Sequence, residues 1–314
     1  MSERPGEHGY YDYPVVKRPV WTWEIPVYFW LGGIGSGAFI TSSLAQRFGS
    51  EEDARSLADG FYIAAAALLP CTPLLIMDLG RADRFHHMLR VFKPLSPMNL
   101  GAWTLAMFTP VAIARAAALA ADRGLLPRVA PMLTALVPRG LSELAGSLLG
   151  ITLAGYTGVL LAATNIPIWA KSKLLGGLFT ASALASGSAA VSLGATLRSV
   201  EDAPLHRLSK IESAVSLAEL ALVAGYVGQS GRAGRPLTVQ RLALPFWLGA
   251  VGAGTVLPLL LHRLAATRSG ARLRRLSTLA SLCALGGSLA LRWTVFEAGK
   301  ESANDQAASF ELSS

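Results

Sequence analysis

The chain has 314 residues, 52% of them hydrophobic and only 15% charged, against roughly a quarter charged in soluble domains. Its 28 Lys and Arg outweigh 20 Asp and Glu to give a net charge of +8. They are scattered through the connections between apolar blocks, not gathered in a stripe with interleaved aromatics, which argues against a nucleic-acid surface. The two cysteines, Cys71 and Cys283, are too few for an iron–sulfur cluster or a structural zinc site and read as small buried hydrophobes inside apolar blocks.

Residues 1–20 form a polar arm with charges and prolines. No apolar core of a cleavable leader is expected there. Eight apolar blocks follow, at 24–46, 57–77, 99–121, 141–164, 174–197, 206–228, 242–264 and 273–296. Each is near the ~20 residues that carry a helix across a bilayer. A polar tail ends the sequence at 299–314. Gly, Ala and Ser are frequent in the blocks, as in "LGGIGSGAFITSS" and "FTASALASGSAAVSLGA", and small residues let helices approach closely where lipid supplies no hydrophobic drive. No barrel-like alternation is present. The expected fold class is an all-α, multi-pass membrane protein with eight transmembrane helices.

One internal echo stands out. "FWLGGIGSG" (29–37) resembles "FWLGAVGAG" (246–254). The two lie in the first and seventh blocks, and the echo reads mainly as a shared packing motif.

Eight crossings place both termini on one side. Lys and Arg divide evenly, fourteen to each side of the 28, so the positive-inside rule does not decide by count. The densest cluster, "HRLAATRSGARLRR", lies on the side opposite the termini. It points to that side as cytoplasmic.

The five histidines, His8, His86, His87, His206 and His262, fall in arms, connections or block ends. A haem held by two histidines inside the bundle is therefore not expected. Polar and aromatic residues concentrate in three segments that topology puts on the terminal side. They are "VWTWEIPVYFW" (20–30), "DLGRADRFHHMLRVFKPLSPMNLGAW" (78–103) and "GYTGVLLAATNIPIW" (155–169). Tyr156 precedes Asn165 by nine residues, about 13 Å down a helix, and Tyr28 is a turn into the first helix. Buried phenols seek hydrogen-bond partners.

Plainer readings exist for each residue. Trp21, Trp23, Trp30 and Trp169 fit an aromatic belt at the membrane interface. Asp78 and Arg81 fit a local ion pair at a helix end, and His86 and His87 fit solvated side chains. Glu212 and Glu219 share one helix face. With Arg115 and Arg292 they place charge within or near apolar blocks, which marks either a proton pathway or buried pairs.

Four stretches, "WEIPVYFWLGG", "DLGRADRF…SPMNLGAW", "GYTGVLLAATNIPIW" and "LRWTVFEAG", closely resemble the NrfD-like family. These are the membrane subunits of polysulfide reductase and related molybdopterin or multihaem respiratory complexes. The resemblance runs from about Trp21 to Gly299 and is most specific in the first four helices. It implies two four-helix bundles, 21–169 with a quinone site and 170–298 without one. It implies no haem or iron–sulfur cluster in this chain. Electrons and protons would pass between menaquinone or ubiquinone and an iron–sulfur partner subunit. A molybdopterin or multihaem catalytic subunit would lie beyond. The chain would be a subunit of an oxidoreductase rather than a complete enzyme, in the bacterial cytoplasmic membrane, with the termini and the quinone face periplasmic. Proton translocation is a further expectation.

In polysulfide-reductase-type members a tyrosine of the fourth helix meets a quinone carbonyl, with a histidine and an asparagine of the first. The tyrosine matches Tyr156. The other two positions carry Tyr28, which can donate a hydrogen bond, and Ile25, which cannot. The expected quinone-binding residues are Tyr156, Tyr28, Trp23 and Arg81. Asp78 and His86 are expected to exchange protons, Arg84 and Asn165 to dock the partner, and Glu212, Glu219 and Arg115 to line a proton path. No metal site is expected. The rival readings are a secondary transporter and a passive anchor without quinone chemistry.

Overall fold

The computed structural model describes residues 16–17, 19–126 and 138–305, and among them every regular element is helical. Most of the expected N-terminal arm and the end of the tail lie outside the described residues. The helical rods are α1 Glu24–Phe48, α2 Glu51–Met77, α3 Pro97–Asp122, α4 Arg139–Ala162, α5 Leu175–Leu197, α6 Asp202–Thr238, α7 Pro245–Ala265 and α8 Gly270–Ser302. Seven of them, α2 to α8, have the length and hydropathy to cross a membrane. Helix α1 has the length, at 25 residues. Its Gly, Ser, Thr, Trp and Tyr content holds down its hydropathy. Most of its residues are buried against other helices, so it has little need of a lipid-facing surface.

Helix α2 is longer than its apolar block and broken into Glu51–Leu57, Gly60–Leu68 and Cys71–Met77. Pro70 at the second break has no N–H to continue the ladder. At the first break Asp59 receives Arg123 and Arg198, which follow the ends of α3 and α5. Helix α7 begins with a π-helical stretch, Pro245–Val256, in which Thr255 Oγ1 donates to Ala250 O five residues back. Helix α8 runs to Ser302, so the first residues of the expected polar tail are helical.

The repeated motif has the same packing use in both places. Its last glycine is Gly37 in α1 and Gly254 in α7. A Cβ on Gly37 would strike the backbone of Ala183 and Gly187 in α5, and a Cβ on Gly254 would strike Gly287 in α8. Each site is a glycine-on-glycine crossing that brings two backbones into contact. Helix α1 is thereby seated on α5, and α7 on α8. Around α1, Phe39 packs edge-to-face on Phe61 and Phe108 at 5.1 and 5.4 Å between ring centres.

Arg115 of α3 is buried and pairs with Glu143 of α4 at 2.9 and 3.1 Å, with its guanidinium 4.4 Å from the Phe61 ring centre. Removing one partner of such a pair leaves the other charge stranded, at a cost of about 3–5 kcal/mol. Glu143→Ala is expected to lower thermal stability by that order, and Arg115→Met with Glu143→Leu to recover much of it. Circular dichroism melting of the three proteins checks this.

Trp169 follows α4 in a four-residue helical turn, Pro167–Ala170. It is fully buried, not set at a lipid interface. Its indole N–H donates to Val295 O at 2.8 Å, and its ring stacks between Trp21 at 6.2 Å and Phe296 at 6.1 Å. Trp169 therefore ties the start of α1 to α8.

Candidate functional site

One end of the bundle is where α1 and α3 begin and α2 and α4 finish. The residues 78–96 that join α2 to α3 cross this end and include a 3₁₀ segment, Ala82–Leu89. Asn99, near the start of α3, pins the segment. Its Nδ2 donates to Met88 O at 2.6 Å and Val91 O at 3.0 Å, and its Oδ1 accepts from Lys93 N at 2.6 Å.

Beneath the segment lies a mostly apolar cavity of about 170 Å3. Trp21, Ile25, Tyr28 and Phe29 come from α1 and the residues just before it. Thr72, Leu75 and Ile76 come from α2, with Asp78 and Leu79 just beyond its end. Phe85, Met88 and Leu89 come from the 3₁₀ segment, Met98, Ala102, Leu105 and Ala106 from α3, and Tyr156 and Leu160 from α4. The two tyrosines are the deep polar groups of the wall, 1% and 8% exposed for Tyr28 and Tyr156. Both sit on glycine. Tyr28 passes Gly32 one turn on, and the Tyr156 ring and hydroxyl lie directly over Gly101 of α3. A methyl group at 101 would overlap that ring. Gly101→Ala is expected to push Tyr156 out of place and depress the function of the cavity, with little change in the amount of folded protein. Near-ultraviolet circular dichroism together with an activity assay checks this.

Asp78 is the carboxylate of the wall. It accepts from Thr22 N at 3.1 Å and Thr22 Oγ1 at 3.3 Å, which ties the end of α2 to the start of α1. Thr22 Oγ1 also reaches Glu24. Burial pushes the Asp78 carboxyl above the ordinary carboxylate range, and the Thr22 hydrogen bonds hold that rise in check. Arg81 is not its partner: its side chain is exposed, and the cation acting on Asp78 is Lys300 of α8.

The structure thus brings together Tyr28, Tyr156 and Asp78. Trp21 occupies the wall position expected of Trp23, which is 50% exposed. Arg81, Arg84, His86 and Asn165 are exposed and outside the cavity wall. His86 and His87 pack edge-to-face at 4.5 Å on the 3₁₀ segment. Sequence alone does not single out Asn99 and Gly101. Their signal lies in "SPMNLGAW", where a polar side chain and a glycine open an apolar helix.

The buried charges of the other half form two groups. In the first, Arg292 of α8 donates through Nε to Phe29 O at 3.0 Å and through Nη1 to Ser182 Oγ at 3.0 Å and Ser288 Oγ at 2.6 Å. Glu219 of α6 shares Ser182 and also meets Thr255 of α7. Phe29 is the neighbour of Tyr28, so this group begins at the back of the cavity. In the second, Glu212 Oε2 lies 3.0 Å from His262 Nε2 near the opposite end. Arg115, with Glu143, belongs to neither. Among the described residues no three His, Cys, Asp or Glu side chains converge to hold a metal ion.

The sequence profile of the family described as "Polysulphide reductase, NrfD" matches residues 14–302. The C subunit of polysulfide reductase from Wolinella succinogenes is 30% identical over 303 residues, covering 90% of this protein and 94% of the relative. Protein NrfD of Escherichia coli is 28% identical over 311 residues, covering 90% and 95%. The NrfD homolog of Haemophilus influenzae is 26% identical over 318 residues, covering 92% and 98%.

Proposed function

The chain belongs to the NrfD polysulphide reductase family, and from that premise we propose that it is the quinone-reactive membrane subunit of a bacterial respiratory oxidoreductase. The observation that carries the proposal is the apolar cavity with two buried tyrosines in its wall and a carboxylate at its rim. A quinone head is flat and apolar with two carbonyl acceptors, and two phenol donors in an apolar slot suit it. Ile25 adds packing and no hydrogen bond. When bound, the quinol form supplies two electrons and two protons. Tyr28 and Tyr156 orient the ring, the apolar wall lines it, and Asp78 at the rim takes up the two protons in turn at its carboxylate, releasing the first to solvent before it accepts the second.

Electrons leave through an iron–sulfur partner subunit, and a molybdopterin or multihaem subunit carries out the terminal chemistry. This protein supplies no haem or cluster of its own. The docking face is the surface over the cavity. Arg81, Arg84 and His86 are exposed there beside exposed Phe85, Val91, Phe92 and Leu95, and Trp23 and Asn165 lie at the same end. Mixed apolar and cationic surface of this kind suits a partner. In this reading α1 is the eighth crossing, residues 21–169 and 170–298 are two four-helix bundles, and the docking face is periplasmic.

The proton role of Asp78 has a pH signature. The acid limb of the rate profile reports the deprotonation of Asp78, above the ordinary carboxylate range. Hydrogen bonds to the charged form lower a carboxylate's pKa. Thr22→Val removes the one from Thr22 Oγ1, so the limb is expected to move to higher pH. An unmoved limb in quinol-oxidation profiles from about pH 4 to 8 would exclude Asp78 as the acceptor.

Proton movement through the second half is part of the same proposal. Phe29 O, Arg292, Ser182 and Glu219 run from the cavity to the centre of the bundle. Glu212 and His262 continue toward the far end after a gap of seven residues, about 10 Å of helix rise that water must bridge. Arg115 is held by Glu143 and is left out of this route. Glu219→Gln is expected to keep quinol turnover and lose coupled proton uptake in proteoliposomes. Unchanged proton-to-electron stoichiometry in that variant would remove the route.

A further inference from the structure

The far end of the molecule holds a second opening, of about 450 Å3, between α6 and α7. His206, Lys210 and Ser213 lie at helical spacing on one face of α6. His262 and Arg263 face them from the last turn of α7. Arg207, one position from His206, is paired with Asp53 at 2.8 Å. The side chains of His206, Lys210 and Arg263 have no hydrogen bond or ion pair with any described residue. His262 is buried with its Nδ1 unpartnered, and Glu212, behind it on Nε2, is not part of the wall. The pocket therefore gathers donors and positive charge with no acid facing in.

Its depth and its lower wall identify the ligand further. His206 is four residues into α6 and Arg263 two residues from the end of α7, about 6 Å and 3 Å from the helix ends at the ordinary rise. That is headgroup depth for helices that cross the bilayer. Ser209, Ala214, Leu217 and Ala266 complete the pocket, and exposed Leu217, Leu260 and Leu264 continue an apolar surface beside it. A cationic mouth above an apolar wall matches an amphiphile, and basic pockets between transmembrane helices hold phosphorylated headgroups.

We propose that this pocket binds the phosphodiester headgroup of an anionic phospholipid. Lys210, His206 and Arg263 contact the phosphate, His262 Nδ1 faces it from below, and an acyl tail runs along Leu217. The neighbouring run of arginines from Arg263 to Arg275 raises the local positive potential. The site lies at the end opposite the quinone cavity and does not depend on that reading.

The test is native mass spectrometry of the full-length protein in micelles with phosphatidylglycerol or phosphatidylcholine added, with and without millimolar inorganic phosphate. Wild-type protein is expected to retain phosphatidylglycerol over phosphatidylcholine. Two neutralised cations weaken such binding roughly thirtyfold, so Lys210→Gln with Arg263→Gln should lose it. The charge-preserving pair Lys210→Arg with Arg263→Lys should keep it, and decides the matter if the neutral pair fails to fold. Quinol turnover of a folded neutral variant should be unchanged. Equal retention of the two lipids, or of phosphatidylglycerol by the folded neutral variant, overturns the proposal. Displacement of the lipid by inorganic phosphate would keep the phosphate chemistry and overturn the lipid as its source.

Discussion

Tyr156→Phe is expected to cut quinone-linked electron transfer about a hundredfold or more, the scale of losing a preorganised donor to a charge-developing oxygen. The phenylalanine ring keeps its place over Gly101 and its packing against α3, so insertion and assembly should be normal. The loss belongs to one hydroxyl in an apolar wall. Tyr28→Phe should act in the same direction. It sits deeper in the wall, 1% exposed, and is held by α1, whose position depends on Arg292. The measurement is oxidation of a short-chain quinol by the assembled complex, with subunit content checked by gel. Wild-type turnover in Tyr156→Phe would remove the tyrosine from the reaction.

Arg292→Leu is expected to lower stability as strongly as Glu143→Ala does. Its guanidinium holds the Phe29 carbonyl of α1, Ser182 of α5 and Ser288 of its own helix in one cluster. Loss of the cation leaves those acceptors unmatched and leaves Glu219 without its neighbouring charge. Breaking a buried charge cluster costs about 3–5 kcal/mol. Because Phe29 adjoins Tyr28, the same change should also loosen the cavity wall. Arg292→Lys keeps the charge and loses most of the forked donors, so its stability should fall between wild type and Arg292→Leu. Thermal unfolding of the three proteins, with the quinol KM measured alongside, separates the scaffold effect from the site effect. Wild-type stability in Arg292→Leu would show that the cluster contributes nothing to holding α1.

Much of this is legible in the sequence because membrane helices advertise themselves. Blocks of apolar residues near bilayer length set seven rods directly, and helix direction alone places Tyr28, Asp78 and Tyr156 at one end. Helix α1 reads as an apolar block, but its hydropathy is diluted by the glycines and aromatics that let it pack against other helices. The glycine-ended motif in α1 and α7 is readable as packing, since close backbone approach needs glycine wherever it recurs. Trp169 shows the opposite. A tryptophan at a helix end fits an interfacial belt by composition, and only the fold reveals that it is buried between Trp21 and Phe296. Arg81 and His86 look like cavity residues because they adjoin Asp78 in sequence. The 3₁₀ segment instead turns Met88 and Leu89 inward, sets half-exposed Phe85 at the edge of the cavity, and leaves Arg81 and His86 outside. Pairings between distant blocks, such as Arg115 with Glu143 and Glu212 with His262, depend on which helices touch, and spacing within one helix carries no information about that.

Whether the cavity under the 3₁₀ segment takes the quinone is decided by equilibrium binding of a water-soluble menaquinone analogue to the purified protein. Three proteins serve: wild type, Tyr28→Phe with Tyr156→Phe, and Ala102→Trp, which fills the cavity from α3. One analogue should bind per wild-type molecule. Binding should weaken about tenfold or more without the two hydroxyls, since each hydrogen bond contributes about 0.5–1.5 kcal/mol, and should vanish with the cavity filled. Undiminished binding by folded Ala102→Trp would place the quinone elsewhere.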